Sequence, residues 1–348
     1  MLIAWQRRHG RHDLPWQNTT DPYRVWLSEI MLQQTQVATV MPYYRRFLER
    51  FPTLADLAAA PAEDIMALWS GLGYYARARN LHACAKAVVA QHGGAFPRDA
   101  ASIAELPGIG RSTANAIAAF CYGSATPILD GNVKRVFARC FGIEGFPGTL
   151  SVERQMWALA EELMPTQDAA AYTQAQMDLG ATVCSRGKPL CERCPLAEIC
   201  IAQRDGRQAE LPTARPKKAL PERESIYLVL LDDAGVLLQQ RPPSGIWGGL
   251  LSLPELPPGA EPQQWCRDTL GVKTVAFEEL PALRHTFTHF RLTLRPLRAL
   301  ATPLPRAMED GLRHWPKARI DEAPLPTPIR AILAQALGDE PATPHSSQ

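Results

Sequence analysis

Two carboxylates sit where their surroundings could change their chemistry. Glu29 lies inside Val25-Trp26-Leu27-Ser28-Glu29-Ile30-Met31-Leu32, a run of large apolar side chains. It is either on the solvated stripe of a helix or desolvated among those neighbours. Desolvation would raise its pKa and equip it as a general acid. Asp130 stands in Ile128-Leu129-Asp130-Gly131-Asn132, directly before a helical pattern that starts near Val133. It is either a plain helix cap or an anion kept ionised by the helix N-terminus. Together, one protonated donor and one anion could divide the labour of breaking a bond that leaves positive charge behind.

Four of the eight cysteines form Cys184-x6-Cys191-x2-Cys194-x5-Cys200. With no secretory signal in the chain, such a cluster argues for metal over disulfides. Structural zinc often uses two separated Cys-x2-Cys pairs, and only one pair exists here. An iron–sulfur cubane also takes four thiolates, so both metals stay open on chemistry alone. Arg186, Lys188 and Arg193 place cations within the loop, where they could face a phosphate backbone. Cys84, Cys121, Cys140 and Cys266 are scattered singly and read as small packed side chains. A third feature is Leu106-Pro107-Gly108-Ile109-Gly110-Arg111-Ser112-Thr113-Ala114. Two glycines two residues apart permit a tight turn with outward N–H groups, and a helix begins at once. Such a hairpin grips a phosphate without reading a base; a plain interhelical turn is the alternative.

The elements that must position these groups follow from length and pattern. A chain of 348 residues points to two domains, and 46% hydrophobic with 21% charged residues is globular composition. Apolar runs such as Ile226 to Leu231 stay far below the roughly 20 residues of a membrane span. The N-terminus, with Trp5, Arg7, Arg8 and His9, has no apolar signal core, so a cytoplasmic place is expected, nucleoid-associated in a prokaryote. The net charge of +2 does not announce nucleic acid, but only seven of the 37 basic residues are Lys, and Arg suits phosphate. Residues 1–200 read as nearly all helix. The Asp21-Pro22 cap opens one helix through Gln34, and others are expected at Pro42–Arg50, Ala62–Ser70, Ala76–Gln91, Ser112–Tyr122, Val133–Cys140 and Val152–Leu163. Residues 201–222 are basic and Pro-containing and read as a linker. Residues 223–338 read as a smaller α+β domain. Its expected elements are a hairpin (Ile226–Leu231, Val236–Gln240), strands Leu250–Leu253 and His289–Leu300, and helices Gln263–Leu270 and Pro328–Leu337. The tail 339–348 is expected to be disordered.

The hairpin, Asp130 and the cysteine loop together resemble the helix-hairpin-helix DNA glycosylases with an iron–sulfur cluster. Within that superfamily the chain is similar to the adenine DNA glycosylases of the MutY type. The matching segments are Leu14-Pro15-Trp16, residues 26–37, Gly71-Leu72-Gly73-Tyr74-Tyr75-Ala76-Arg77-Ala78-Arg79, residues 128–136, Arg241 through Leu250, and Phe287-Thr288-His289-Phe290. Endonuclease III-type relatives also cut the strand, using a lysine at the position held here by Ser112. The resemblance therefore implies base removal without efficient strand cleavage, with Lys134 nearby as a weak substitute amine.

The resemblance implies that the chain removes adenine mispaired with 8-oxoguanine or guanine after flipping it from the duplex. Glu29 would protonate the purine at N7. Asp130 would stabilise the oxocarbenium-like sugar, with a transient covalent adduct as one route, and water would leave an abasic site. Cys184, Cys191, Cys194 and Cys200 would hold a [4Fe-4S] cluster. Trp16, Leu32, Gln174 and Met177 would line the adenine pocket. Gln34 and Tyr74 would wedge into the duplex, core packing being the other use for Tyr74. Arg77, Gly108, Gly110, Ser112 and Lys134 would contact the DNA backbone. The second domain is similar to a Nudix hydrolase but lacks the glutamate run that binds metal, since Glu255 and Glu261 stand alone. It would instead read 8-oxoguanine through Phe287-Thr288-His289, with Thr where the family has Ser. The partner would be double-stranded DNA, met by a single copy of the chain away from any membrane. An endonuclease III-like lyase and a non-catalytic DNA-binding homologue are the alternatives, the second opposed by the presence of both Glu29 and Asp130.

Overall fold

The computed structural model describes residues 1–216, 219–242, 244–303 and 311–338. The chain divides into two compact units, Met1–Ala59 with Asn80–Lys217 and Ala60–Arg79 with Lys218–Gln348. No helix among the described residues is long and apolar enough to cross a membrane.

The first unit is helical, and the two helices that follow Asp21 and Asp130 start where a carboxylate satisfies a free N–H group. Asp21 accepts from the Tyr23 N–H at 2.9 Å and Pro22 opens the helix Pro22–Leu32. That helix buries Trp26, Leu27 and Met31 completely, roughly 1.5–3 kcal/mol each for the aliphatic chains. Asp130 caps the helix Gly131–Cys140 by accepting from the Val133 N–H at 2.8 Å. Its inner face, Val133, Val136 and Phe137, packs with Leu129, Met156 and Leu179. The helix expected at Pro42–Arg50 begins earlier, at Val37, and contains Pro42. The proline removes only the bond to the carbonyl of exposed Ala38, while Val40, Tyr44 and Phe47 keep one buried stripe. Leu2–His9, Leu54–Ala59 and Ala100–Ala104 are helices too short to leave a periodic signal.

The stretch expected as a linker, 201–222, is largely tied down. Ile201–Arg204 is helical, and Leu211 is buried with its carbonyl accepting from Arg139 Nε at 2.8 Å. The Thr213 hydroxyl accepts from the Gly145 N–H at 3.1 Å. Arg204 pairs with Asp205, and Arg207 with Glu144 and Glu210, so two of its five basic residues are locally matched. Lys217, Lys218, Pro243 and the tail 339–348 lie outside the described residues.

The second unit is built on a mixed sheet. Its strands are β1 (Glu222–Leu231), β2 (Gly235–Gln240), β3 (Leu251–Ser252), β4 (Glu255–Leu256), β5 (Val272–Thr274), β6 (Glu278–Glu279), β7 (Leu283–Thr286), β8 (Arg291–Pro303) and β9 (Leu312–Pro316). The main path runs β3-β2-β1-β8-β5. β1 and β8 are parallel, from Glu222 opposite Arg291 to Leu231 opposite Leu300. The expected β1–β2 hairpin turns on Asp232, which accepts from the N–H groups of Ala234 and Gly235. Helices Pro262–Thr269 and Thr327–Leu337 complete the unit, and Leu228, Leu230, Leu237, Cys266 and Leu312 pack in its core. Strands β4 to β7 and β9 were not anticipated, since two to five residues are too few to show alternation.

Residues 60–79, counted with the N-terminal 200 in the sequence, group with this second unit. The Ser70 hydroxyl donates to the Leu325 carbonyl at 2.8 Å, and Arg79 Nη1 donates to the Gly248 carbonyl at 2.7 Å. Arg313 grips Glu63 through two bonds of 2.7 and 3.1 Å.

Candidate active site

A cavity of about 550 Å³ opens in the helical unit, within the size range of small-molecule pockets. Glu29 and all four residues assigned to an adenine pocket, Trp16, Leu32, Gln174 and Met177, line it. Trp16 is fixed edge-on against Tyr44, ring centres 5.2 Å apart. Glu29 is partly exposed, onto this cavity rather than the outer surface, so neither a solvated stripe nor a sealed core describes it. Desolvation, and then the charge of Asp130, push its carboxyl up to about 8. At neutral pH it holds its proton.

Sequence reading missed the polar wall of this cavity. Asp178 is fully buried and accepts from the Arg11 N–H at 3.0 Å, Arg11 Nε at 2.8 Å and Gln174 Nε2 at 2.9 Å. It thereby aims Gln174 and Arg11, both of which line the cavity. The Gln174–Asp178 pair has the i, i+4 helical spacing that could have been read from sequence. The tie to Arg11, 167 residues away, could not.

Asp130 is held by the segment before it and the turn after it. Asn115 Nδ2 donates to the Pro127 carbonyl at 2.6 Å, and the Leu129 N–H donates to the Ser112 hydroxyl at 3.0 Å. Behind it, a Cβ on Gly180 would lie 2.5 Å from the Asn132 Cβ, so this close approach needs glycine. Burial raises the Asp130 carboxyl above its ordinary range, while bonds from the Val133 and Asn132 N–H groups and the Arg135 charge pull it down. The expected cap is present, and burial opposes the ionisation that the cap favours. Within the pair the proton still resides on Glu29, whose ionisation the Asp130 charge opposes.

The four loop cysteines carry no disulfide. Cys194 is pushed up to about 11 by burial, with Cys184, Cys200 and Cys191 adding to the rise, so the four thiols lie within electrostatic reach. Arg139 Nη1 donates to Cys184 Sγ at 3.4 Å and Gln208 Nε2 to Cys191 Sγ at 3.9 Å. No three His, Cys, Asp or Glu side chains among the described residues converge on a single ion position. Arg135 joins this loop to the Asp130 helix, donating to the Cys184 and Gly180 carbonyls at 2.8 and 2.7 Å. Arg186, Lys188 and Arg193 are exposed.

The remaining candidates divide. Gly108 has φ +76°, and a Cβ there would come within 2.5 Å of the Asn80 Cβ; Gly110 is the N-cap of Arg111–Tyr122. The Ser112 hydroxyl accepts from the Leu129 N–H and so props the segment before Asp130. Lys134 is paired with Glu153 at 2.7 Å. Gln34 and Tyr74 both take left-handed backbone, φ +58° and +48°, a strain of roughly 1–2 kcal/mol each. Both are exposed, and at 47% exposure Tyr74 is not core packing. Arg77 is corrected: only 8% exposed, it donates to the Leu72 and Gly73 carbonyls and stacks near Trp69 and Tyr74. It supports the Tyr74 turn from beneath.

In the second unit Phe287-Thr288-His289 forms the turn between β7 and β8, closed by the Phe287 N–H to the Phe290 carbonyl at 2.9 Å. Phe287 stacks on Phe290 at 4.6 Å, leaving Thr288 and His289 exposed with Oγ1 and Nδ1 3.4 Å apart. Glu255 is paired with Arg241, and Glu261 caps the helix Pro262–Thr269. Both glutamates thus serve the fold.

Residues 27–162 match the family described as HhH-GPD superfamily base excision DNA repair protein, and residues 226–335 match the NUDIX domain. The adenine DNA glycosylase of Buchnera aphidicola from Acyrthosiphon pisum is 36% identical over 298 residues, covering 85% of each chain. The human adenine DNA glycosylase is 34% identical over 408 residues, covering 98% of this chain and 74% of the human one. Among solved structures, a thermostable thymine-DNA glycosylase is 29% identical and covers 59% of this chain and 94% of its own, with a TM-score of 0.53.

Proposed function

The chain belongs to the adenine DNA glycosylases, hydrolases of the N-glycosyl bond in base excision repair, and from that premise we propose how its own residues carry out the reaction and on which mispair. Adenine flipped from the duplex enters the Trp16–Leu32–Gln174–Met177 cavity. Glu29 delivers its proton to N7, which turns the purine into a better leaving group. As the bond breaks, Asp130 in its anionic form faces the positive sugar, and water completes an abasic site. The observation that carries this reading is Glu29, a carboxyl opening on that cavity and still protonated at neutral pH.

Two further features fit the same reading. Ser112, whose hydroxyl cannot form a Schiff base, stands where the strand-cutting relatives carry lysine, and Lys134 is paired with Glu153. The exposed Thr288 and His289 offer a hydroxyl and an imidazole to the base opposite adenine. We assign that base as 8-oxoguanine in preference to guanine.

Cys184, Cys191, Cys194 and Cys200 suit a [4Fe-4S] cluster. A cubane takes four thiolates, and these four thiols are in no disulfide and lie within electrostatic reach of one another. Bound there, the cluster supplies covalent cross-links that fix the loop bearing Arg186, Lys188 and Arg193. The test has two parts. Wild-type protein should convert an A·8-oxoguanine duplex to abasic DNA, and Glu29→Gln should lose at least about 100-fold in rate while still binding it. About four irons per chain are expected. Near-normal turnover by Glu29→Gln removes the acid, and one zinc removes the cluster.

A further inference from the structure

The turn that carries Tyr74 and the loop that carries Thr288 and His289 belong to one compact unit, and the Arg79 guanidinium ties the first to the segment that packs on the second. The Tyr74 turn is anchored from several sides. Trp69 Nε1 donates to the Gly73 carbonyl at 3.1 Å, and Arg77 holds the Leu72 and Gly73 carbonyls. The Gly71 N–H donates to the Tyr75 hydroxyl at 3.3 Å. The Arg79 N–H donates to the Tyr75 carbonyl at 3.2 Å, so any shift of Arg79 bears directly on the residue after Tyr74.

The Arg79 guanidinium reaches out of this turn to the Gly248 carbonyl at 2.7 Å. No carboxylate pairs with Arg79 among the described residues. A strong charged donor is thus spent on a neutral main-chain acceptor, which fixes distance and direction more than it balances charge. Gly248 cannot yield easily. Its N–H donates to the Gly245 carbonyl and the Gly249 N–H to the Pro242 carbonyl, at 3.3 and 3.0 Å. The preceding residue, Trp247, is buried with a left-handed backbone, φ +53°. Its ring packs against His285 and Phe287, centres 6.2 and 5.8 Å away. Phe287 is the first residue of the exposed loop and meets His285 edge-on at 4.6 Å. Close-packed aromatic groups transmit displacement because they have no free volume in which to absorb it.

Resting on the opposite-base reading given above, we propose that Arg79 is a positioning residue that links the Phe287-Thr288-His289 loop, through Trp247 and the Gly248 carbonyl, to the Tyr74 turn. Occupation of the loop by 8-oxoguanine then holds Tyr74 in the orientation that wedges into the duplex. Selection of the mispair is accordingly a property of the two loops acting together.

The test uses the full-length protein and single-turnover adenine release from A·8-oxoguanine and A·G duplexes. Arg79→Ala should slow release from A·8-oxoguanine roughly tenfold, the loss expected for one charged hydrogen bond, and release from A·G less than about threefold. Arg79→Lys, which keeps a donor, should recover most of the difference. In a Thr288→Ala background, Arg79→Ala should change the ratio of the two rates by less than about twofold, because coupled sites are non-additive. An unchanged ratio in Arg79→Ala, equal losses on both duplexes, or additive effects with Thr288→Ala would each overturn the link. A wild-type protein with no preference between the duplexes would instead overturn the opposite-base reading. If Arg79→Ala does not fold, Arg79→Met, which keeps the apolar stem and removes the donor, carries the same comparison with melting temperature as control, and the same outcomes decide it.

Discussion

Glu29 and Asp130 are the same functional group placed in two environments, and the pH dependence of the reaction should report both. In the proposed mechanism Glu29 acts protonated, so the rate should hold below its value of about 8 and fall as pH rises through it. In the same mechanism Asp130 acts as the anion, and burial has moved it upward, so the acid limb should sit above the ordinary aspartate range. A bell-shaped single-turnover profile with its basic limb near pH 8 is the expected outcome. A flat profile through pH 9 would contradict the acid role. Stability should carry the same signature. A carboxyl raised in the folded state favours folding below its unfolded pKa and loses that contribution as pH climbs to the folded value. Glu29→Gln should therefore gain a few degrees in melting temperature over wild type as pH rises from the ordinary glutamate range to about 8.

Helices and turns decide which of these groups meet, and the sequence disclosed them unequally. The caps at Asp21 and Asp130 and the Asp232 turn were legible because their partners are two or three residues away. Glu29's apolar neighbours were legible too, but not the side of the helix that opens on the cavity. The Arg11–Asp178 tie and the attachment of residues 60–79 were not legible. Their partners are 167 to 255 residues distant, and no local spacing encodes such a contact. Arg77 was misread for the opposite reason, since an arginine beside a turn expected to face DNA looks like a phosphate contact until its burial is known. The Gly108 turn offers a test at this scale. Gly108→Ala must adopt φ +76° and bring a Cβ to 2.5 Å from the Asn80 Cβ. It should destabilise the turn by about 1–3 kcal/mol and weaken binding to undamaged duplex, with a shallower salt dependence. Wild-type affinity and salt slope in that variant would mean the turn does not grip phosphate.

At the scale of the whole chain, the sequence boundary near residue 200 and the structural grouping disagree in one informative way. A fragment ending at residue 216 keeps both carboxylates, the hairpin and the four loop cysteines, yet it strips Ser70, Arg79 and Glu63 of their partners at Leu325, Gly248 and Arg313. If it keeps the absorbance of the proposed cluster, it should still release adenine, but it should lose more preference for A·8-oxoguanine over A·G than Thr288→Ala does. Equal losses in the two proteins would show that residues 60–79 keep their arrangement unaided. The buried carboxylate of Asp178 has a consequence of a different kind, in the order of assembly. It gathers Gln6 and Arg11 from the start of the chain and Gln174 from its own helix, so contacts across 172 and 167 residues close one wall of the cavity. At synthesis rates of about 5–20 residues per second, residue 6 waits roughly 10–35 s for residue 178 to be made. During that interval the Pro22–Leu32 helix already exists as sequence, but the chamber around its acid does not. The nascent protein therefore acquires its base-excising cavity late, after most of the hairpin-bearing helical region has been synthesised.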